Sequence, residues 1–394
     1  MSNVGRWRAL AASALLLAAA LVGACVSAPT GEQQQNNAGN ASARRQRGSG
    51  PVRIGFSMDT LKEERWVRDK ELVEQRAREV GAEVFVQVAD GNDNVQIKQA
   101  ESLLTQGVDV LIVAPHNGVA AAAIVEAAHR QGVPVISYDR LIRNSDVDLY
   151  VSHQVVKIGE MQARYLLERA PKGNYIIVGG APTDNNALLL HQGQMNVLQP
   201  AIDRGDIKVV VDQYAKDWQA SEALNIVENA LTQYKNDVVA VVASNDGTAR
   251  GAVQALEGQG LAGKVLVSGQ DADLPSLKLI AQGKQTMTIY KPIQPLAFGA
   301  VDAALKLARG EKVESRDVVN NGSKDVPSIL HEPIAVGKDD IVNTVVRDGY
   351  HSYDRIYSDI PANLRPPPPS GTSASGGANA NANTNANANT AGGQ

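Results

Sequence analysis

From Val52 onward, short apolar runs rich in β-branched residues alternate with longer segments whose apolar positions recur at helical spacing. The apolar runs fall at residues 52–56, 84–88, 108–113, 133–137, 174–178, 207–211, 238–243, 265–268 and 286–290. Several are apolar throughout, as expected of strands covered by helices on both faces of a parallel sheet. Between them, Val73, Ala77 and Val80 repeat at one helical face, as do Ile97, Ala100 and Leu104, and Ile158, Met161 and Tyr165. Charged residues occupy the opposite faces. Strand–helix alternation of this kind predicts βαβ units and an α/β fold with doubly wound parallel sheets.

About nine such units exceed one comfortable core, so two lobes are expected. The first lobe is expected to take residues 51–154 and about 290–318, and the second 155–289 and about 319–350. Residues 293–309 read as a long helix, followed by short strand-like pieces around Val318 and Ile334. A last segment that returns to complete both lobes crosses between them several times. The expectation is a hinged, two-lobed molecule with a cleft.

The ends of the chain follow other rules. Arg6 and Arg8 precede an apolar run from Ala9 to Val22, then Leu21-Val22-Gly23-Ala24-Cys25. A basic start, a short apolar stretch and small residues before a cleavage point describe an export signal, and the run is shorter than the ~20 residues of a spanning helix. Cys25 is the protein's one cysteine, and its place after Gly-Ala resembles a bacterial lipobox, which implies lipidation there and residence outside the cytoplasm. A lone cysteine also excludes an intramolecular disulfide framework or a multi-cysteine zinc site. Residues 26–50 are polar and read as a disordered tether, and 354–394 as a low-complexity tail. The formal net charge of −4 supplies no basic footprint for nucleic acid.

Ligands of open α/β sheets bind beyond the carboxyl ends of the strands, so the residues after each apolar run are the candidates. They are Arg65 and Trp66, Tyr138-Asp139-Arg140, Asp184-Asn185-Asn186, Asp217-Trp218, Ser244-Asn245-Asp246, Gly269-Gln270-Asp271, and Lys291. Planar, multidentate Asp, Asn and Arg side chains suit adjacent sugar hydroxyls, which both donate and accept. Trp66 and Trp218 would cover the apolar C–H faces of a pyranose. A neutral ligand requires the charges to pair among themselves, for instance Asp139 with Arg140 and Asp271 with Lys291. Taken alone, Asn185 or Asp246 reads as a helix N-cap, and a single Trp as core.

At these positions the chain resembles the D-xylose-binding proteins of ABC importers, within the periplasmic binding protein family. The resemblance runs from about Val52 to Ser352. It is carried by Glu64-Arg65-Trp66, Tyr138-Asp139-Arg140, Pro182-Thr183-Asp184-Asn185-Asn186, Ser244-Asn245-Asp246, Ser268-Gly269-Gln270-Asp271-Ala272-Asp273 and Tyr290-Lys291-Pro292. It implies a type I fold with a multi-crossover hinge and a monosaccharide ligand, D-xylose. Arg65, Asp139, Arg140, Asn186, Asn245, Asp271 and Lys291 would hydrogen-bond that sugar, and Trp218 and Trp66 would stack on it. It further implies an ABC permease as partner, a monomer, and neither cofactor nor metal. Ser152-His153-Gln154-Val155 and Pro115-His116-Asn117 depart from the family pattern.

Other functions fit less well. A transcription regulator with the same sensor needs a DNA-binding segment where this chain has an export signal. An enzyme using Asp139 and Asp271 as an acid–base pair needs a raised carboxyl, whereas neighbouring Arg and Lys should lower both. No Walker loop or His-Glu-x-x-His motif is present. Presentation of the ligand to a chemoreceptor or sensor kinase, or binding of ribose, arabinose or glucose, would use the same chemistry.

Overall fold

A computed structural model of the chain describes residues 50–369. Cys25, the expected export signal, all but the last residue of the expected tether and most of the expected tail lie outside the described residues.

The first sheet has seven strands in the order β11-β12-β5-β4-β3-β1-β2. Its members are β1 Arg53–Met58, β2 Glu83–Val88, β3 Val110–Ala114, β4 Val135–Tyr138, β5 Leu149–His153, β11 Asp317–Asn320 and β12 Asp325–His331. Its pairs are parallel except the hairpin of β11 with β12. The second has four parallel strands in the order β7-β6-β8-β9: β6 Gly173–Gly179, β7 Ile207–Tyr214, β8 Ala240–Ala243 and β9 Leu266–Val267. Beyond β9, the antiparallel pair β10 Thr288–Tyr290 and β13 Ile334–Val336 continues this lobe.

Strand periodicity explains the layers. Within β3, Val110, Ile112 and Ala114 enter one core while Leu111 and Val113 enter the core on the other face. β6 divides likewise: Ile176 and Val178 face one side, Tyr175 and Ile177 the other. Helices α1 Glu64–Glu79 and α9 Ile293–Arg309 cover one face of the first sheet; α2 Asp93–Thr105 and α3 Ala122–His129 cover the second. The second sheet lies between α4 Val155–Leu167 with α5 Asn185–Asp203, and α6 Ala220–Gln233 with α7 Asp246–Gly258. The helix expected at 293–309 has those bounds.

Two glycines let α4 and α5 touch backbone to backbone. A Cβ on Gly193 would lie 1.9 Å from the Val156 carbonyl oxygen, and one on Gly159 would lie 2.1 Å from that of Leu190. Neither clash can be relieved by a rotamer change. Gly193→Ala is therefore expected to cost about 3 kcal/mol and lower the thermal midpoint by roughly 5–10 °C, read by differential scanning calorimetry.

The returning segment corrects two expected boundaries. Residues 319–331 belong to the first lobe, because β12 pairs with β5 from Ser328↔Tyr150 to His331↔His153. The expected change of lobe at 318–319 therefore falls at Glu332 and Pro333. The tail does not begin at 354 either. Helix α10 Tyr353–Tyr357 buries Ile356 and Tyr357 with α8 Leu274–Ala281, in a cluster that includes Leu277 and Ile280.

Among the described residues the chain crosses between lobes after β5, β10 and β12, and these crossings meet. The His153 ring nitrogen Nε2 lies 3.3 Å from the Pro292 carbonyl oxygen, its ring centre is 5.8 Å from that of His331, and the Gln154 amide donates to the His331 carbonyl. Burial, with help from nearby Lys291, holds the His153 imidazole well below its usual pKa and so uncharged.

Candidate functional site

The cleft between the lobes holds a small, partly open cavity of polar and aromatic lining. All nine residues expected to contact a ligand line it: Arg65, Trp66, Asp139, Arg140, Asn186, Trp218, Asn245, Asp271 and Lys291. Each is buried, none more than 8% exposed.

The first lobe supplies Arg65 and Trp66 from the first turn of α1, and Asp139 and Arg140 from the end of β4. The second supplies Asn186 from the start of α5, Trp218 from the turn after β7, Asn245 as the N-cap of α7, and Asp271 beyond β9. Lys291 stands on the second crossing, directly after β10. Capping is performed one residue earlier than the sequence suggested. Asp184, not Asn185, accepts from the Asn186 amide, and Asn245, not Asp246, accepts from the Thr248 amide.

Three of these side chains sit on left-handed backbone: Asp139 at φ 59°, Trp218 at φ 57° and Asp271 at φ 103°. Such conformations cost a non-glycine residue about 1–3 kcal/mol and persist only where neighbours impose them. For Asp139 the neighbours are on β5: the Tyr150 hydroxyl and the Ser152 hydroxyl donate to its carbonyl oxygen at 2.8 and 2.6 Å. The Asp271 amide donates to the Ile289 carbonyl at 2.8 Å, and the Tyr350 hydroxyl donates to the Asp271 carbonyl at 3.3 Å. Trp218 donates from Nε1 to Asp184 Oδ2 at 3.2 Å. Its six-membered ring lies over Gly180, where a Cβ would come within 2.2 Å of the indole. Glycine at 180 is what admits the ring.

The charges are paired within the protein. Arg65 holds Asp69 through two hydrogen bonds and Asp139 at 2.8 Å. Arg140 holds Asp59 at 2.6 Å and Asp184 at 2.8 Å, and Lys291 holds Asp271 at 3.0 Å. The second expected pair is therefore present. The first is not: Asp139 takes Arg65 as its partner, and Arg140 turns to Asp59 and Asp184. The left-handed bend at Asp139 accompanies this separation of neighbours in sequence. Burial by itself would raise the Asp139 carboxyl, but Arg65 and Lys291 outweigh it and hold that carboxyl well below the usual range.

The lobes are closed on each other. Asn186 Nδ2 donates to the Asp139 carbonyl and to Asp139 Oδ1, at 3.1 and 3.2 Å, and Arg140 reaches Asp184 across the cleft. At the rim, the Leu274 amide donates to Glu64 Oε2 and the Gly118 amide to the Thr183 carbonyl. Asn186 Oδ1 is buried without a hydrogen-bond partner among the described residues, an acceptor available to a ligand hydroxyl. Trp66 lies beneath two guanidinium groups, with Arg65 at 4.4 Å and Arg140 at 5.1 Å from its ring centre. Those contacts occupy ring surface that the sequence had reserved for stacking.

This architecture is found in known proteins. The sequence model of the periplasmic binding protein domain matches residues 54–312. The chain belongs to the periplasmic binding protein family. It is 50% identical over 306 residues to the D-xylose-binding periplasmic protein of Haemophilus influenzae, covering 78% of this chain and 92% of that one. Identity to the Escherichia coli D-xylose-binding periplasmic protein is 49% over 300 residues, covering 76% and 91%. Among solved structures, a Chloroflexus aurantiacus carbohydrate transporter solute-binding protein in complex with D-glucose superposes with a TM-score of 0.73 at 33% identity, covering 78% of this chain and 98% of that chain. The match confirms the expected type I fold.

Sequence reasoning left out several residues that this periplasmic binding protein brings to its cavity. Glu63, Asp184 and Gln270 also line it. Asp184 and Gln270 stood among the strand-end residues but were passed over for their neighbours. Asp69 was legible in principle, since it lies four residues after Arg65 on one helix face. Asp59 was not: only folding brings it to Arg140. His116, one of the departures, lies outside the cavity and bonds Asp93.

Behind Asp271 the site carries an excess of buried carboxyls. Asp246 accepts from the Asp273 amide and from Gln285, and Asp273 accepts from Arg250. Burial first, and then the Asp271 charge, push the Asp273 carboxyl up to about 6. Burial and Asp273 push Asp246 well above its ordinary value. An unfolded Asp titrates near 3.9, so between about pH 4 and 6 the folded state binds more protons at Asp273. Its contribution to stability is full below about pH 4 and is lost as pH rises through about 6. Lowering the pH from 7 to 5 is expected to raise the thermal midpoint. Asp273→Asn should flatten that slope, as read by melting curves across this range.

Proposed function

We propose that the protein captures D-xylose between its lobes outside the cytoplasm and delivers it to an ABC permease, without chemical change to the sugar. The observation that carries this reading is a buried cavity whose three cations, Arg65, Arg140 and Lys291, each have a carboxylate partner. Such a cavity suits a neutral polyhydroxylated ligand, because neither an anion nor a cation can enter without breaking a buried pair. The D-xylose-binding relatives, at about half identity over most of the chain, favour this sugar among neutral ones.

In this reading Asp139, Asn186, Asn245, Asp271, Arg65, Arg140 and Lys291 bond the sugar hydroxyls, and Trp218 covers a C–H face with Trp66 behind it. A wrong epimer leaves one of these groups unpaired in a dry cavity, the strongest form of discrimination open to a binding site. Contacts from both lobes make the closed state the better binder, so the sugar drives closure and the permease reads the closed shape. The protein acts as a monomer, with a lipid on Cys25 holding it at a membrane surface. No helix of the described residues is long and apolar enough to cross a membrane.

The test is isothermal titration of the full chain with xylose, ribose, arabinose, galactose and glucose. One-to-one binding, tightest for xylose, is the expected result; tighter binding of another sugar, or none at all, would overturn the assignment. Mass spectrometry of the mature N-terminus would check the lipid, which an unmodified Cys25 rules out.

A further inference from the structure

A second, larger cavity adjoins the sugar cavity at the rim of the cleft. Glu63, Arg140 and Trp218 line both. The outer space is walled by Asp59 and His116 of the first lobe and Asp217 of the second. Exposed Lys62 and Gln219 bring it to solvent. Lys62 Nζ spans the lobes to the Asp217 carbonyl oxygen at 2.5 Å, so this vestibule is completed by closure.

Its lining holds buried polar atoms that nothing in the fold satisfies. Asp59 is 5% exposed; one carboxylate oxygen takes Arg140, and Oδ1 has no hydrogen-bond partner among the described residues. Glu63 is 9% exposed; Oε1 lies 3.1 Å from Lys62 Nζ, and Oε2 has none. His116 uses Nδ1 on Asp93, while Nε2 lies 3.7 Å from Asp217 Oδ1, beyond hydrogen-bond reach. Buried acceptors of this kind are costly unless a ligand or water supplies donors. A metal ion is a poor candidate, since no group of three or more His, Cys, Asp or Glu among the described residues is placed to hold one. Hydroxyl groups fit: acceptor-only carboxylates, an imidazole edge and the shared indole of Trp218 are the lining a pyranose ring takes.

The geometry points to a second saccharide subsite in the vestibule, holding the outer ring of a disaccharide whose first ring occupies the inner cavity. This inference rests on the sugar-binding function proposed above and extends its ligand from a monosaccharide to a short oligosaccharide of the same pentose.

Full-length protein titrated with xylose, and with xylobiose in its β-1,4 and β-1,3 forms, tests it. One xylobiose form is expected to bind one-to-one, to displace xylose, and to match or exceed its affinity. Asp217→Asn, which alters the vestibule while keeping a side chain that tolerates the local left-handed backbone, should weaken xylobiose about fivefold, the cost of one hydrogen bond. Gln219→Trp, which fills the rim, should weaken xylobiose more strongly. Both should leave xylose within about twofold, because neither residue lines the inner cavity. If xylose binds but neither xylobiose form displaces it, or if the variants affect both sugars alike, the subsite is overturned and the monosaccharide function stands. If xylose itself fails to bind, the proposed function falls and this inference with it.

Discussion

Trp218→Ala is expected to weaken xylose binding by about a hundredfold or more while leaving the protein folded. A central, desolvated aromatic anchor is worth about 2–4 kcal/mol when truncated, and 2.7 kcal/mol corresponds to two decades in Kd. Two features place Trp218 at the upper end. Its ring is fixed over Gly180 and by the hydrogen bond to Asp184, so little ordering entropy is lost on binding. Trp218 also lines both the inner cavity and the vestibule, so its removal widens the opening between them and admits water to the buried ion pairs. Titration calorimetry reads the loss, and a single cooperative melting transition of the ligand-free protein, at a lower midpoint, shows that the fold persists. A variant that retains xylose affinity within tenfold would remove Trp218 from the binding surface. Trp218→Phe, which keeps the ring but not the bond to Asp184, should recover most of the binding.

Asp139→Asn should have the largest effect on stability among changes at the site. Asparagine is tolerated on the left-handed backbone that this position requires, so the substitution tests charge rather than geometry. It removes the carboxylate 2.8 Å from Arg65 and 3.9 Å from Lys291, leaving Arg65 to Asp69 and Lys291 to Asp271. Breaking a buried ion pair in this way costs about 3–5 kcal/mol. The sign of the pH dependence follows from the lowered Asp139 carboxyl. Its stabilisation is present above the unfolded value near 3.9 and is lost as pH falls below that towards the folded value. The variant should therefore melt several degrees lower at pH 7, with the gap narrowing below about pH 4. Equal gaps at both pH values would show that Asp139 stabilises by shape alone.

Elements whose residues are uniform in character were legible along the chain. The apolar runs at β3 and β6 and the amphipathic helix α9 appear where expected, because burial on both faces, or on one face, leaves a direct mark on residue type. β5 was missed: Leu149-Tyr150-Val151-Ser152-His153 is buried throughout, yet its polar members look like a loop until Ser152 is seen bonding the Asp139 carbonyl. β12 was missed for a different reason. Pro327 breaks the strand pattern, but it stands opposite the edge strand β11, and pairing with β5 begins only at Ser328.

At the site, identity was legible and partnership was not. The sequence determined which residues reach the cavity, because the ends of parallel strands converge wherever such sheets form, and all nine candidates line it. Only the tertiary structure decided how they act together. Arg140 leaves its neighbour Asp139 for Asp59 and Asp184, 81 and 44 positions distant, and Trp66 lies under two guanidinium groups. The vestibule with its unsatisfied carboxylates exists only when both lobes meet. A side chain's chemistry is a local property that the chain carries with it. Its partner, its backbone strain and the space before it are set by contacts between segments far apart in sequence, and these exist only in the closed fold.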